Sequence, residues 1–130
     1  MVNDYLSDFL ARLKNATMVG KEFVEMPATK LLLAVSDVMK KEGAVLGVKK
    51  YKEGTRIMLR LDLNPMGIEE SKFKTFRRLS KGGRRLYRGS RDLKRFASNG
   101  LTVISTSRGI MSVKEAIKKS LGGELLCQIK

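Results

Sequence analysis

Between Lys72 and Arg95 the chain places eleven Lys or Arg side chains in 24 residues, with Asp92 as the single acid. Such a segment cannot be buried, because unpaired charges resist leaving water. It is not a bare basic tail either: Phe73, Phe76, Leu79, Leu86, Tyr87 and Phe96 are interleaved with the cations. The segment therefore has to fold with its apolar residues inward and its charges outward. Lys and Arg stems covering apolar surface would account for part of this pattern. Eleven positive charges beside one negative charge nevertheless repel one another, and the arrangement favours contact with phosphate.

The rest of the composition points the same way. The 130 residues carry 27 Lys+Arg and 13 Asp+Glu, a net +14. Residues 1–65 hold 11 basic and 8 acidic side chains, net +3, whereas residues 66–130 hold 16 and 5, net +11. A polyanion is thus expected mainly on the C-terminal half, and nucleic acid is the commonest one. Hydrophobic residues make up 42%, enough for a core. No apolar stretch approaches the roughly 18 residues of a membrane-spanning helix. The start of the chain, with Asp4 and Asp8, lacks the basic region of a signal peptide, so a soluble protein that stays where it is made is expected. Cys127 is the only cysteine and lies in the apolar run Leu125-Leu126-Cys127, which reads as a buried, inert thiol. There is no disulfide framework and no thiolate metal cluster.

Catalysis has few residues to work with. Histidine is absent, which removes the usual general base and the commonest zinc ligand. The carboxylates are scattered, and neither Gly82-Gly83 nor Gly122-Gly123 sits in a phosphate-loop or dinucleotide fingerprint, so both read as turns. Neither an enzyme, a cofactor nor a metal is expected. No helix-turn-helix, zinc finger or minor-groove wedge suggests a DNA architectural protein.

Periodicity predicts an α+β fold in two small lobes. Asp4 or Asn3 caps a helix to about Asn15, with Leu6, Phe9, Leu10 and Leu13 on one face. After Gly20 comes a strand over Phe23–Met26, which Pro27 stops. A second helix opens at Ala28-Thr29-Lys30 and runs through Glu42, with Leu31, Val35, Val38 and Met39 inward and Gly43 ending it. Val45–Tyr51 and Arg56–Leu63 form a hairpin across Lys52-Glu53-Gly54-Thr55. The turn Asn64-Pro65-Met66-Gly67 divides an N-terminal α/β lobe, residues 1–65, from a strongly basic C-terminal lobe, residues 66–130, which is the expected nucleic-acid-binding lobe. In the latter, a basic strand Lys72–Leu79 returns as Arg84–Arg88 across Ser80-Lys81-Gly82-Gly83. A helical turn follows over Asp92–Phe96, and Asn99-Gly100 breaks the chain. Leu101–Ile104 is a strand, Ser112-Val113-Lys114-Glu115 is a capping box opening a short helix to about Ser120, and Glu124–Ile129 is the last strand. The C-terminal lobe is thus mainly antiparallel β with a short helix.

Two groups of residues suit RNA. In the basic segment, Lys81, Arg84 and Arg85 can engage phosphate oxygens and Tyr87 can stack on a base or ribose, although Tyr87 fits a core position equally well. The second group is Ser105-Thr106-Ser107-Arg108-Gly109. Its three hydroxyls offer donors and acceptors to base edges, 2′-hydroxyls and phosphates, Arg108 adds charge, and Gly109 permits close approach. An ordinary polar turn ahead of a capped helix accounts for this group at least as well.

Ile104-Ser105-Thr106-Ser107-Arg108-Gly109-Ile110-Met111, with Ser120-Leu121-Gly122-Gly123-Glu124 downstream, closely resembles the signature of the bacterial small-subunit ribosomal protein eight family. The resemblance spans nearly the whole chain. It includes Asp4 with Asp8-Phe9-Leu10-Ala11-Arg12-Leu13-Lys14-Asn15-Ala16, Met26-Pro27-Ala28-Thr29-Lys30-Leu31, Lys41-Glu42-Gly43, Arg78-Leu79-Ser80-Lys81 and Arg85-Leu86-Tyr87. It implies a structural ribosomal protein that binds the central domain of small-subunit ribosomal RNA directly and helps organise the platform during assembly. Such a protein also touches neighbouring small-subunit proteins. By resemblance the C-terminal lobe grips an irregular stem through Ser105, Thr106 and Ser107, with Tyr87, Arg85 and Glu124 beside them. The N-terminal lobe adds Asp4, Arg12, Asn15 and Lys30.

Some members bind a matching stem in their own messenger RNA, and a non-ribosomal regulator of structured or messenger RNA is the alternative reading. The free chain is expected to be a monomer away from membranes, in the cytoplasm within the ribosome, or in an organelle if encoded there. The sequence departs from the family at Tyr5, Gly82 and Arg84, where the family usually has Pro, Pro and a hydrophobic residue, and at Ala28, where it has Ser. Thr29 is then the expected cap, the Gly82 turn should be looser and more basic, and the end Gln128-Ile129-Lys130 is more polar than usual.

Overall fold

The computed structural model describes residues 4–63, 75–97 and 100–130. The expected lobe junction at Asn64-Pro65-Met66-Gly67, the start of the basic segment at Lys72–Lys74 and Asn99 lie outside the described residues. The described residues make an α+β fold with two antiparallel sheets, one drawn from residues 23–62 and the other from 76–129.

Helix α1 (Tyr5–Met18) begins where Asp4 accepts the Ser7 amide at 3.0 Å and the Ser7 hydroxyl at 2.6 Å. The acidic cap suffices with Tyr5 as the first helical residue. The helix outlasts the expected end at Asn15 because Ala16 and Thr17 prolong the buried stripe of Leu6, Phe9, Leu10 and Leu13. Strand β1 (Phe23–Pro27) includes the proline expected to stop it. It is an edge strand in the order β1-β3-β2, where a missing N–H is tolerated. In α2 (Lys30–Lys41) Thr29 accepts the Leu32 amide at 3.1 Å, and Gly43 (φ +81°) follows the Glu42 cap. Leu32 joins Val35, Val38 and Met39 as buried, while Leu31 packs half-buried at the margin of the same core. Leu32, Val35, Ser36 and Met39 hold the i, i+3, i+4, i+7 positions, and three consecutive leucines hide that phase in the sequence. Strands β2 (Gly47–Glu53) and β3 (Arg56–Asp62) pair through a two-residue turn at Gly54-Thr55.

The C-terminal sheet departs most from expectation. Strands β4 (Phe76–Arg78) and β5 (Tyr87–Arg88) do not pair as a hairpin; both run antiparallel to β8 (Gly123–Ile129). Leu79 N donates to Leu126 O at 3.0 Å, and Leu125 N donates to Leu86 O at 2.8 Å. The chain thus follows β8 from Phe76 to Arg88 as one interrupted strand, and residues 80–85 loop out of it. Phe76, Leu79 and Leu86 pack against the cores, whereas Lys81, Arg84 and Arg85 stay in solvent. That partition explains the interruption. The loop's neck is closed by buried Ser80, whose hydroxyl accepts the Leu86 amide at 2.9 Å.

A 3₁₀ turn (Ser90–Asp92) and α3 (Lys94–Ala97) lead to β6 (Leu101–Thr106). Strand β6 is longer than expected and forms a tight hairpin with β7 (Gly109–Ser112), a strand that the polar segment hides. Ser112 then caps α4 (Val113–Lys118) by accepting the Glu115 amide at 3.2 Å.

Two hydrophobic clusters flank this sheet. One joins α1, α2 and the first sheet to Leu101, Val103, Leu126, Cys127 and Ile129; the other joins Leu93, Ile104, Met111, Val113, Ala116 and Leu125. The register shifts between Val103, opposite Cys127, and Ile104, opposite Leu125, leaving Leu126 as an extra residue. This β-bulge reverses which face each β8 side chain takes, so Leu125 enters the second cluster while Cys127 and Ile129 serve the first.

Candidate nucleic-acid interface

The bulge decides where Glu124 points. Side chains alternate along a strand, so with Leu125 in the second cluster Glu124 turns to the face shared with α1 and α2. Directly opposed residues in adjacent strands share a face. Tyr87 lies opposite Glu124, Glu124 opposite Ser105, and Ser105 opposite Ile110. Tyr87, Glu124 and Ser105 thus form one row across three strands. The next row is Arg88, Gly123, Thr106 and Gly109.

Tyr87 is 63% exposed, which settles its alternative reading as a core residue: it is a surface ring. Arg85, leaving the loop, donates through Nη1 to Glu124 Oε2 at 3.0 Å. This hydrogen bond and the carboxylate's charge hold the Arg85 pKa above its ordinary value. Glu124 therefore orients one guanidinium edge while the rest of the exposed Arg85 side chain stays available. Lys81 and Arg84 exchange backbone hydrogen bonds (2.7 and 2.9 Å) around Gly82-Gly83, so the turn is closed with both cations exposed at its base.

The row tolerates only glycine beside it. A Cβ on Gly123 would collide with the Ser105 carbonyl oxygen, and one on Gly122 would come within 2.6 Å of the Arg88 carbonyl oxygen. Both were expected to be turn glycines; they are instead where β5, β8 and β6 approach most tightly. Residue type does not separate these roles, although the Leu-Gly-Gly-Glu resemblance includes both.

In the hydroxyl segment, Ser105 and Thr106 end β6, Ser107 and Arg108 are the exposed hairpin turn, and Gly109 opens β7 with φ +113°. The Thr106 hydroxyl donates to Gly109 O at 2.8 Å and accepts the Arg108 amide at 3.1 Å. Thr106 is thus partly committed to shaping the turn, while Ser107 is carried at its tip. Arg108 leans toward α2 and α4, lining a shallow groove with Asp37, Lys41, Glu115 and Lys119.

The four N-terminal candidates separate. Asp4 and Lys30, at the starts of α1 and α2, line one groove with Arg78, Gly82 and Arg85, adjoining the Tyr87–Ser105 row. Arg12 and Asn15 line a different groove with Lys21, Phe23 and Glu25. Burial raises the Asp4 pKa, but the two Ser7 hydrogen bonds and the Arg78 guanidinium outweigh it, leaving the carboxyl below its ordinary value. Asp4 is thus a cap and an ion-pair partner, with Arg78 Nε 3.4 Å away. Arg78 is in turn held by Leu126 O at 2.6 Å, so this cation of the basic segment is structural.

Among the described residues no group of three or more His, Cys, Asp or Glu could hold a metal ion, and no helix is long and apolar enough to cross a membrane. The geometry offers exposed cations, an exposed ring and a row of hydroxyl and carboxylate groups across three strands of the five-stranded sheet. Comparison with known proteins gives this surface a context. The family described as Ribosomal protein S8 matches residues 4–129. Small ribosomal subunit protein uS8c of Phaeodactylum tricornutum is 38% identical over 131 residues, covering 99% of each chain. Small ribosomal subunit protein uS8 is 39% identical in Rhodopirellula baltica and 36% identical in Helicobacter pylori, each over 132 residues and 99% of both chains. The chain belongs to the ribosomal protein S8 family.

Proposed function

We propose that this protein is a structural, non-catalytic constituent of the small ribosomal subunit that binds ribosomal RNA directly. Its RNA site is the central domain of small-subunit RNA, and binding there organises the platform for neighbouring ribosomal proteins. The observation that carries this reading is the row Tyr87–Glu124–Ser105 beside the cationic loop of Lys81, Arg84 and Arg85. Cations supply backbone affinity without sequence information, whereas hydroxyls and an exposed ring on a rigid sheet can follow the shape of an irregular, partly unstacked stem. Ser105, Thr106, Ser107, Arg108 and Gly109 form the reading edge. Asp4 and Lys30 border it, and Arg12 and Asn15 make a separate contact from α1. The same surface would accept a stem of matching shape in the protein's own messenger RNA.

The test is binding to central-domain RNA and to a DNA duplex of equal length across a salt series, for wild type and Ser105→Ala/Ser107→Ala. Tight RNA binding that the double variant loses, with an unchanged salt slope, is the expected result. Equal binding to both nucleic acids, indifferent to the serines, would leave only a general polyanion binder.

A further inference from the structure

The cations of the C-terminal half are not all on the hydroxyl-segment face. The second hydrophobic cluster lies on the opposite face of the five-stranded sheet, roofed by the 3₁₀ turn, α3 and α4. On the outside of this roof Arg91, Lys94, Arg95, Lys114 and Lys118 are all exposed; Asp92 lies among them, and Glu42 lines a small groove with Lys114 at the margin. Helix α4 buries Val113 and Ala116, which leaves Lys114 and Lys118, one turn apart, pointing outward. Like charges at that spacing repel. The helix's own acid does not relieve them, because Glu115 is taken by Lys119 at 3.1 Å and Lys41 at 3.5 Å. Among the described residues none of the five forms an ion pair.

We propose that the outer surface of this roof is a second RNA-binding surface, which takes the phosphate backbone of a separate double-helical segment. The inference rests on the reading that the Tyr87–Ser105 face binds RNA, and makes the C-terminal half a spacer between two RNA elements. The two surfaces are separated by a sheet and a helix layer, and a helix with its side chains is roughly 10 Å across. The Debye length is about 8 Å at physiological salt, so the two sets of charges act independently. Arg95 lies over the Phe96 ring, 5.4 Å from its centroid, and none of the exposed large hydrophobic residues belongs to the roof. A protein interface would call for an apolar or aromatic anchor at its centre. Cations spread over three elements without an anchor fit a duplex backbone and supply no base readout.

The experiment saturates full-length wild type and an Arg91→Gln/Lys94→Gln/Lys114→Gln/Lys118→Gln variant with a central-domain RNA stem. A labelled RNA duplex of unrelated sequence is then added and followed by native electrophoresis. Wild type is expected to take up one further duplex. The variant should bind the first stem unchanged and the second duplex at least about tenfold more weakly, with a shallower salt slope. Uptake of no second duplex by wild type, or equal uptake by the variant, overturns the proposal. So does displacement of the duplex by polyglutamate as readily as by unlabelled RNA, which would mark a surface for acidic proteins. Failure of wild type to bind the first stem appears in the initial titration and overturns the underlying reading instead.

Discussion

Single residues matter here chiefly through how closely backbones approach. Gly123 separates β8 from β6 with no room for a methyl group, because its Cβ would meet the Ser105 carbonyl. Gly83, at the tip of the cationic turn, has open space where a methyl group would stand and no positive φ. Gly123→Ala should therefore lower stability by about 1–3 kcal/mol through overpacking. Gly83→Ala should be neutral or stabilising by about 0.4–1 kcal/mol, because it restricts only the unfolded chain. Urea denaturation of both variants checks this, and equal effects would refute the packing role of Gly123. Cys127 shows residue-scale control of another kind. Burial pushes its thiol pKa up to about 12, against the opposing pull of the Arg78 charge, so the thiolate is scarcely formed at neutral pH.

At the scale of an element, α1 shows how a cap couples to the neighbouring sheet. Asp4 closes the helix and pairs with Arg78 of β4, so one carboxylate serves two elements. Its folded pKa lies below the ordinary 3.8. Its contribution to stability is therefore complete above that value and is lost as pH falls through the folded pKa. Asp4→Ala should cost about 1 kcal/mol at pH 7, as expected for a lost N-cap. The gap between wild type and variant should narrow as the solution is acidified below pH 3.8. Guanidinium denaturation at both pH values measures it, and a gap unchanged by pH would show that the carboxylate charge contributes nothing. Helix α2 gives the complementary lesson: Thr29 caps it as the Ala28 departure suggests, yet the Leu31-Leu32-Leu33 run conceals which leucine is buried.

For the whole molecule, the first hydrophobic cluster is the deciding feature. It runs from Leu6 to Ile129 and includes residues of both sheets, although each sheet comes from one part of the chain. We read residues 1–65 and 66–130 as two lobes that share this core. They should unfold in one cooperative transition, because neither lobe keeps its buried face without the other. Hydrogen exchange under increasing denaturant should show amides of β3 and β6 opening at the same free energy. Two well-separated openings would contradict a shared core.

The sequence alone determined the features that depend on near neighbours. The α1 stripe, a cap at Asp4 or Asn3 and the caps at Thr29 and Ser112 follow from spacings within one or two turns, and strand β3 follows from alternation along its own length. The basic segment and its bias to the C-terminal half follow from composition, and the Ser105–Gly109 and Leu121–Glu124 resemblance indicates the family. Only the tertiary structure decided that residues 76–88 make one interrupted strand on β8 rather than a hairpin. It also decided that Tyr87 faces solvent and that the extra residue at Leu126 turns Glu124 toward Arg85. The pairing partner of β4 and β5 lies far along the chain, and the bulge is set by the packing of two clusters on opposite faces. Neither the partner nor the bulge leaves a mark on residue type, because register is chosen by whichever pairing buries both sets of apolar side chains.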